Sequence, residues 1–166
     1  MPNWCNNTMT ISHPDPAMME KAAAAWNSGE FLSVMVPQPD YPGYKDCDIK
    51  DGMPDWWTWR VNNWGTKWDV GYSAELDNKA TIKEGEISVG FDSAWSPPIQ
   101  AYDSLVEQGF SVRAYYYEPG MDFCGRYEDG VDEEYEASGD IPEDIDMEMC
   151  VTESREAFKE WNNEAI

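Results

Sequence analysis

The chain is poor in basic residues. It holds 11 lysines and arginines and a single histidine against 33 acidic residues, so its formal net charge is −22 over 166 residues. Phosphate groups and anionic lipids repel such a surface, which argues against direct binding to nucleic acid or to a membrane. We expect instead a basic partner, including a protein whose own surface is built to hold DNA or RNA. The oligomeric state stays open.

Long apolar runs and paired cysteines are also missing. No apolar stretch approaches the roughly 18–20 residues that a membrane span needs. The first residues, Met-Pro-Asn-Trp-Cys, show neither the basic nor the apolar region of a secretory signal. The four cysteines are scattered and form no Cys-x-x-Cys pair. These absences predict a cytoplasmic protein with free thiols.

Signatures of catalysis and of metal binding are absent as well. There is no Gly-x-Ser-x-Gly, no phosphate-binding loop and no Gly-x-Gly-x-x-Gly, and His13 is the one histidine. Residues 46–52 begin like a calcium loop, but Lys50 stands at the fifth position and Asp51 where glycine is needed. We therefore predict no enzyme, no catalytic residue, no cofactor and no metal site.

Aromatic residues are abundant, with 9 Trp, 9 Tyr and 5 Phe, so the chain has ample material for a core. The hydrophobic pattern alternates between strand and helix periods. Helices are expected over about 16–28, from Pro54 to Gly65, after Ser96, and over about 153–163 with Thr152 as N-cap and Phe158 and Trp161 facing inward. Strands are expected at 8–12, 68–72, 86–91, 110–117, 123–127 and 131–137, and residues 37–55 are expected to form a loop.

This order predicts an α+β protein with a ferredoxin-like antiparallel sheet and helices on one face. Residues 1–127 would form the core, with a Trp-rich helical insert at about 37–66 whose Trp57, Val61 and Trp64 share one face. Residues 128–166 would form an acidic extension with a C-terminal helix, packed on the same domain.

The acidic excess is concentrated near the C-terminus. Residues 115–166 hold 17 acids and 3 bases, and aromatic residues are interleaved among them. Acidic runs are often simply solvated, and Asp144, Asp146 and Glu148 could alternatively gather a weakly held cation. A rigid array of carboxylates could also approach the charge density of DNA. The candidate partner-binding residues are Glu128, Asp129, Asp132, Glu133, Glu134, Glu136, Asp140, Glu143, Asp144 and Asp146.

Four motifs resemble those of a phage and plasmid protein family that carries a YubB-type ferredoxin-like domain. They are Pro-Asn-Trp-Cys at 2–5 followed by Asn7, Met9 and Ile11, Asn-Trp-Gly-Thr-Lys-Trp-Asp at 63–69, Phe-Asp-Ser-Ala-Trp-Ser-Pro-Pro at 91–98, and Glu-Pro-Gly at 118–120 with Phe-Cys-Gly at 123–125. The resemblance implies a ferredoxin-like fold and an origin in a mobile element of a bacterial host. It implies no catalytic site, and it does not reach the acidic segment after about residue 128.

These features lead to three functional hypotheses. The first is a non-enzymatic inhibitor that occupies the nucleic-acid groove of a host defence complex, a CRISPR effector or a restriction enzyme, as an acidic mimic. The second is an interaction module whose aromatic surface, with exposed members of Trp56, Trp57 and Trp59, meets a partner. The third is a small-molecule enzyme that uses a carboxylate pair.

Overall fold

The structure, a computed structural model, describes residues 3–39 and 56–164. Its described strands form an antiparallel sheet in the order β2-β1-β3-β4-β5, which together with the helices confirms the α+β class. The strands are β1 Trp4–Ser12, β2 Glu86–Ala94, β3 Ser111–Glu118, β4 Phe123–Glu128 and β5 Val131–Glu136. Since β2 and β3 both run antiparallel to β1, which lies between them, they are parallel to each other.

The helices are α1 Pro16–Asn27, α2 Phe31–Met35, α3 Trp56–Asn63, α4 Ile99–Glu107, α5 Glu143–Met149 and α6 Val151–Glu164. The start of α1 follows the sequence signals closely. Asp15 is the N-cap and accepts a hydrogen bond from the Ala17 amide at 2.9 Å, and Pro16 takes the first helical position. The predicted first helix is confirmed.

One face of the sheet carries the main core, and we call it the helical face. Met9 and Ile11 of β1 lie opposite Val89 and Ile87 of β2, and all four are buried there. Helices α1 and α4 cover this face. Trp26 of α1 meets Phe91 edge to face at 5.3 Å between ring centroids, and Tyr102 of α4 lies 5.2 Å from Tyr127 of β4.

Helix α5 covers the opposite face, which we call the second face. Ile145 of α5 and Val151 of α6 pack with Tyr117 of β3 and Cys124 of β4 in a second buried cluster. The expectation of helices on one face is therefore wrong. Tyr117 and Cys124 lie on the second face, and burying their apolar surface requires a helix above them. The sequence did not predict α5, because residues 138–150 lack a clear helical period.

The predicted strand at 68–72 does not form, because this segment hydrogen-bonds to helix ends and not to the sheet. The Phe31 amide donates to the Val70 carbonyl at 3.1 Å, and the Tyr72 amide donates to the Trp26 carbonyl at 2.8 Å. The Asp69 carboxylate accepts from the Leu32 amide at 2.6 Å at the start of α2. Alternation alone could not distinguish such an extended segment from a strand.

The expected orientation of the last helix is wrong. Phe158 is 62% exposed and Trp161 is 66% exposed, and their ring centroids lie 6.3 Å apart. Thr152 lies inside α6 and not at its N-cap, and its amide donates to Asp146 Oδ1 at 2.7 Å.

The Trp-rich segment is described only from Trp56 onward. Trp64 is buried as expected, but Trp59 is buried in place of Trp57, which is 49% exposed. Trp59 and Trp64 meet edge to face at 5.9 Å. Residues 40–55, including the predicted helix start at Pro54 and most of the predicted loop, lie outside the described residues.

Candidate interaction surface

The outer strand β5 carries a dense row of carboxylates. In the described sheet it pairs with β4 along one edge, and its sequence Val-Asp-Glu-Glu-Tyr-Glu places four acids in five consecutive residues. Asp132, Glu134 and Glu136 share the helical face, and Glu133 points to the second face. Five strand residues span about 17 Å, so the three carboxylates that share the helical face lie ~7 Å apart. One strand of DNA carries one charge per ~3.4 Å.

Two of the predicted acids are held by Arg126 of β4. The Arg126 Nε atom lies 2.6 Å from Glu133 Oε2, and its Nη1 atom lies 2.7 Å from Asp144 Oδ2. The hydrogen bond from Arg126 lowers the pKa of the Asp144 carboxyl, and the two acids raise the pKa of the guanidinium. Glu133 and Asp144 thus connect β5 and α5 to β4, and the single guanidinium offsets one of their two negative charges.

Asp132 is bound by Tyr116. The tyrosine hydroxyl donates to Asp132 Oδ1 at 2.8 Å after crossing above Gly125 of β4. Burial raises the pKa of the Asp132 carboxyl, partly offset by this hydrogen bond, and burial also raises the pKa of Tyr116. Asp132 is therefore a structural acceptor as well as a surface charge.

Asp129 and Asp146 bind backbone amides. Asp129, in the turn between β4 and β5, accepts from the Val112 amide at 2.6 Å and from the Ser111 hydroxyl at 3.1 Å. Asp146 accepts from the Thr152 amide, as described above. Half of the ten predicted residues thus have internal partners.

The other five predicted acids are exposed, and within residues 3–39 and 56–164 their side chains make no hydrogen bond or ion pair. They lie at the end of β4, on β5, in the connection that follows β5, and at the start of α5. We call this set the acidic edge: Glu128, Glu134, Glu136, Asp140 and Glu143. By strand parity Glu128 points to the second face, whereas Glu134 and Glu136 point to the helical face.

Of the three tryptophans considered for an aromatic surface at 56–59, Trp57 is exposed, Trp56 is half-buried and Trp59 is buried. The Arg60 guanidinium lies 5.1 Å from the ring centroid of Trp56. Exposed aromatic rings occur elsewhere, at Trp4, Trp68, Tyr72 and Trp95. One feature of the sequence could have indicated such a ring. Side chains at even-numbered positions of β1 share one face, so Trp4 lies beside the polar residues Asn6, Thr8 and Thr10.

The carboxyls with shifted pKa do not form a pair. Asp132 is on the helical face and Asp144 belongs to α5 on the second face. Glu118 is buried, but its two oxygens accept from the Gly120 amide at 2.8 Å and the Met121 amide at 2.6 Å. Among the described residues, no three His, Cys, Asp or Glu side chains are placed to hold a metal ion together.

Several of the family-like motifs meet at one end of the sheet. The Asn7 amide group donates to Ser93 Oγ at 2.9 Å, and Ser93 Oγ donates to the Ser96 carbonyl at 2.7 Å. The Cys5 thiol is buried beside them, and burial together with Glu118 raises its pKa. These motif residues therefore act in packing and internal hydrogen bonding.

No protein-family model matches this chain, and no match was found among curated proteins or solved structures. Among the helices in the described part of the chain, none has the length and apolar character that crossing a bilayer requires.

Proposed function

We propose that this protein is a non-enzymatic, acidic binding protein that occupies the nucleic-acid groove of a basic partner. The acidic edge carries the proposal. Its five carboxylates are exposed and have no internal partner among the described residues, and two of them lie on the outer strand β5. They remain available to bind lysine and arginine side chains.

Rigidity of the surrounding structure supports the same proposal. The Arg126 bridge and the Tyr116–Asp132 hydrogen bond fix β5 and α5 to the sheet, so the acidic edge is presented on ordered elements. A preorganised array loses less conformational entropy on binding than a disordered acidic tail would.

The family-like motifs extend the proposal to an origin and a target class. We infer a ferredoxin-like core from a phage or plasmid, acting in the bacterial cytoplasm on a CRISPR effector or a restriction enzyme. The split arrangement of β2, α4 and β3 around β1 is compatible with such a core. In the basic groove of such a target, carboxylates of this protein would take the places that DNA or RNA phosphates otherwise occupy.

The test is competition with DNA. A purified CRISPR effector and a purified restriction endonuclease are each incubated with labelled target DNA and increasing amounts of the protein, and bound DNA is measured by mobility shift. The test variant combines Glu128→Gln, Glu134→Gln, Glu136→Gln, Asp140→Asn and Glu143→Gln. The control removes the same charge elsewhere, through Glu20→Gln, Glu30→Gln, Glu84→Gln, Glu86→Gln and Glu107→Gln.

We expect the wild type to displace DNA, with a potency that falls as salt rises. The test variant should lose on the order of 100-fold, since exposed ion pairs contribute about 0.2–1 kcal/mol each. The control variant should change only a few-fold. Equal losses in the two variants would show that net charge, not the acidic edge, is responsible.

A further inference from the structure

A second surface feature lies at the opposite border of the sheet, along the outer edge of β2. It is a cleft of about 450 Å³ between the end of β2 and the segment 68–76. Four exposed apolar side chains line it, namely Trp4, Trp68, Tyr72 and Leu76. It shares no residue with the acidic edge, so it is a separate site.

The cleft has aromatic walls and acidic rims. The ring centroids of Trp4 and Trp68 lie 5.7 Å apart at an interplanar angle of 44°, so the two rings are in direct, tilted contact and present their outer surfaces to the cleft. Glu75 and Asp92 are lining residues, and no lysine or arginine belongs to the lining. Aromatic faces next to carboxylates attract cations and reject anions.

The protein itself shows that one of these rings accepts a cation. The Lys67 Nζ atom lies 4.3 Å from the centroid of the Trp68 ring. The Asp92 carboxylate, which lines the same cleft, is also partly available, because Asp92 Oδ1 accepts from the Asn6 amide group at 2.6 Å while Oδ2 has no described partner. A guanidinium or ammonium group packed against this ring pair would find both a ring and an acceptor.

The backbone of β2 adds a second recognition element. Its even-numbered residues direct their amide and carbonyl groups away from β1. The Gly90 carbonyl accepts from Asn78 Nδ2 at 2.8 Å and the Ala94 carbonyl accepts from Thr66 Oγ1 at 3.1 Å. Between them, the amide and carbonyl of Asp92 have no hydrogen bond within the described chain, and they border the cleft.

We propose that this cleft binds a short extended segment of a partner protein, centred on one arginine or lysine. The segment pairs its backbone with Asp92 at the edge of β2 and packs its cationic side chain against the outer surface of the Trp4–Trp68 pair. The charge of the whole molecule favours this occupant over acidic or neutral peptides. The site goes beyond the proposed function, because it is built from other residues at another edge.

The test uses a fluorescein-labelled, acetylated peptide, Thr-Val-Thr-Arg-Thr-Val-Thr, and fluorescence polarisation at 150 mM NaCl. Trp68→Ala should weaken binding roughly tenfold, a loss of ~1.4 kcal/mol that matches a partly desolvated cation–π contact. The matched control is Trp57→Ala, which removes an equally exposed ring on α3 and should leave binding unchanged. The peptide with glutamate at its centre, or with an N-methylated central amide, should bind at least tenfold more weakly.

A second measurement does not depend on any variant. Backbone amide NMR spectra of the wild type should show peptide-induced shifts concentrated at Gly71 and Asp92. No saturable binding at 1 mM peptide, equal binding of the glutamate peptide, or shifts confined to the acidic edge would each overturn the proposal. If free arginine amide binds as tightly as the peptide, the proposed backbone pairing with β2 is wrong. The acidic-edge variant should still bind the peptide, which separates this site from the proposed function.

Discussion

Gly125 determines whether the outer part of the sheet can form as observed. A β-carbon at this position would lie 2.3 Å from the Tyr116 hydroxyl and 2.5 Å from the Glu133 carbonyl. The second contact is to backbone, so it is not relieved by moving a side chain. The absence of a side chain at Gly125 therefore allows Tyr116 to pass over β4 and reach Asp132 on β5.

We predict that Gly125→Ala destabilises the protein by about 1–3 kcal/mol, the range for overpacking a tight site. Urea unfolding followed by circular dichroism measures the change. Gly90→Ala is the matched control, because Gly90 is also a strand glycine and an added β-carbon would meet its nearest atom at an ordinary 3.8 Å. Similar losses in both variants would indicate a general effect of replacing strand glycines.

The sequence could predict where acidic residues are concentrated but not which of them have internal partners. Glu134 and Glu136 point to the face of the sheet opposite to Glu133, and this follows from the alternation of side chains along β5. The partners of Glu133 and Asp144 depend on where Arg126 lies, and that depends on α5 folding back over β4. No local pattern carries this information, since 18 residues separate Arg126 from Asp144.

At the scale of elements, the joint between α5 and α6 sets the path of the C-terminus. Cys150 separates the two helices and adopts a left-handed conformation, with φ 51° and ψ 41°. Its amide still donates to the Asp146 carbonyl at 2.8 Å, which completes the last turn of α5. Residues other than glycine are disfavoured in this conformation by roughly 1–2 kcal/mol.

Cys150→Gly should therefore stabilise the protein, by about 0.5–1 kcal/mol after the greater freedom of glycine in the unfolded chain is subtracted. The measurement is the free energy of unfolding from urea titration under reducing conditions. Cys150→Ala also removes the thiol but keeps the β-carbon, so it should give no gain. A gain in Cys150→Ala as large as in Cys150→Gly would assign the effect to loss of the thiol.

Elements whose signals are local were predictable, and elements defined by distant partners were not. Helix α1 has its N-cap, its proline and its apolar face within its own sequence. The segment 68–72 alternates like a strand, yet its hydrogen-bond partners are the ends of α1 and α2. In α6, the pattern correctly predicts a helix, but the spacing of Phe158 and Trp161 cannot show that both remain exposed.

At the scale of the whole molecule, charge repulsion opposes folding. A net charge of −22 on 166 residues raises the free energy of the compact state relative to the expanded chain. Described ion pairs offset little of it, because they involve Arg126 alone. Stability should therefore depend on how strongly the solvent screens these charges.

We predict that the melting temperature rises by several degrees between 10 mM and 500 mM NaCl, because the screening length falls from ~30 Å to below 10 Å. A gain of 1 kcal/mol corresponds to roughly 2–4 °C for a chain of this size. Differential scanning calorimetry provides the measurement. The acidic-edge variant carries five fewer negative charges and should show a smaller rise. A flat or falling melting temperature in the wild type would contradict the prediction.

The two borders of the sheet also determine how many strands can be added to it. A second copy of β5 cannot pair alongside the first, because its row of carboxylates would face an identical row. At β2, Asn78 and Thr66 already bind the carbonyls on either side of Asp92, so a docked strand has a defined start and end. Strand addition at this molecule should therefore end at a one-to-one complex and should not propagate into fibres.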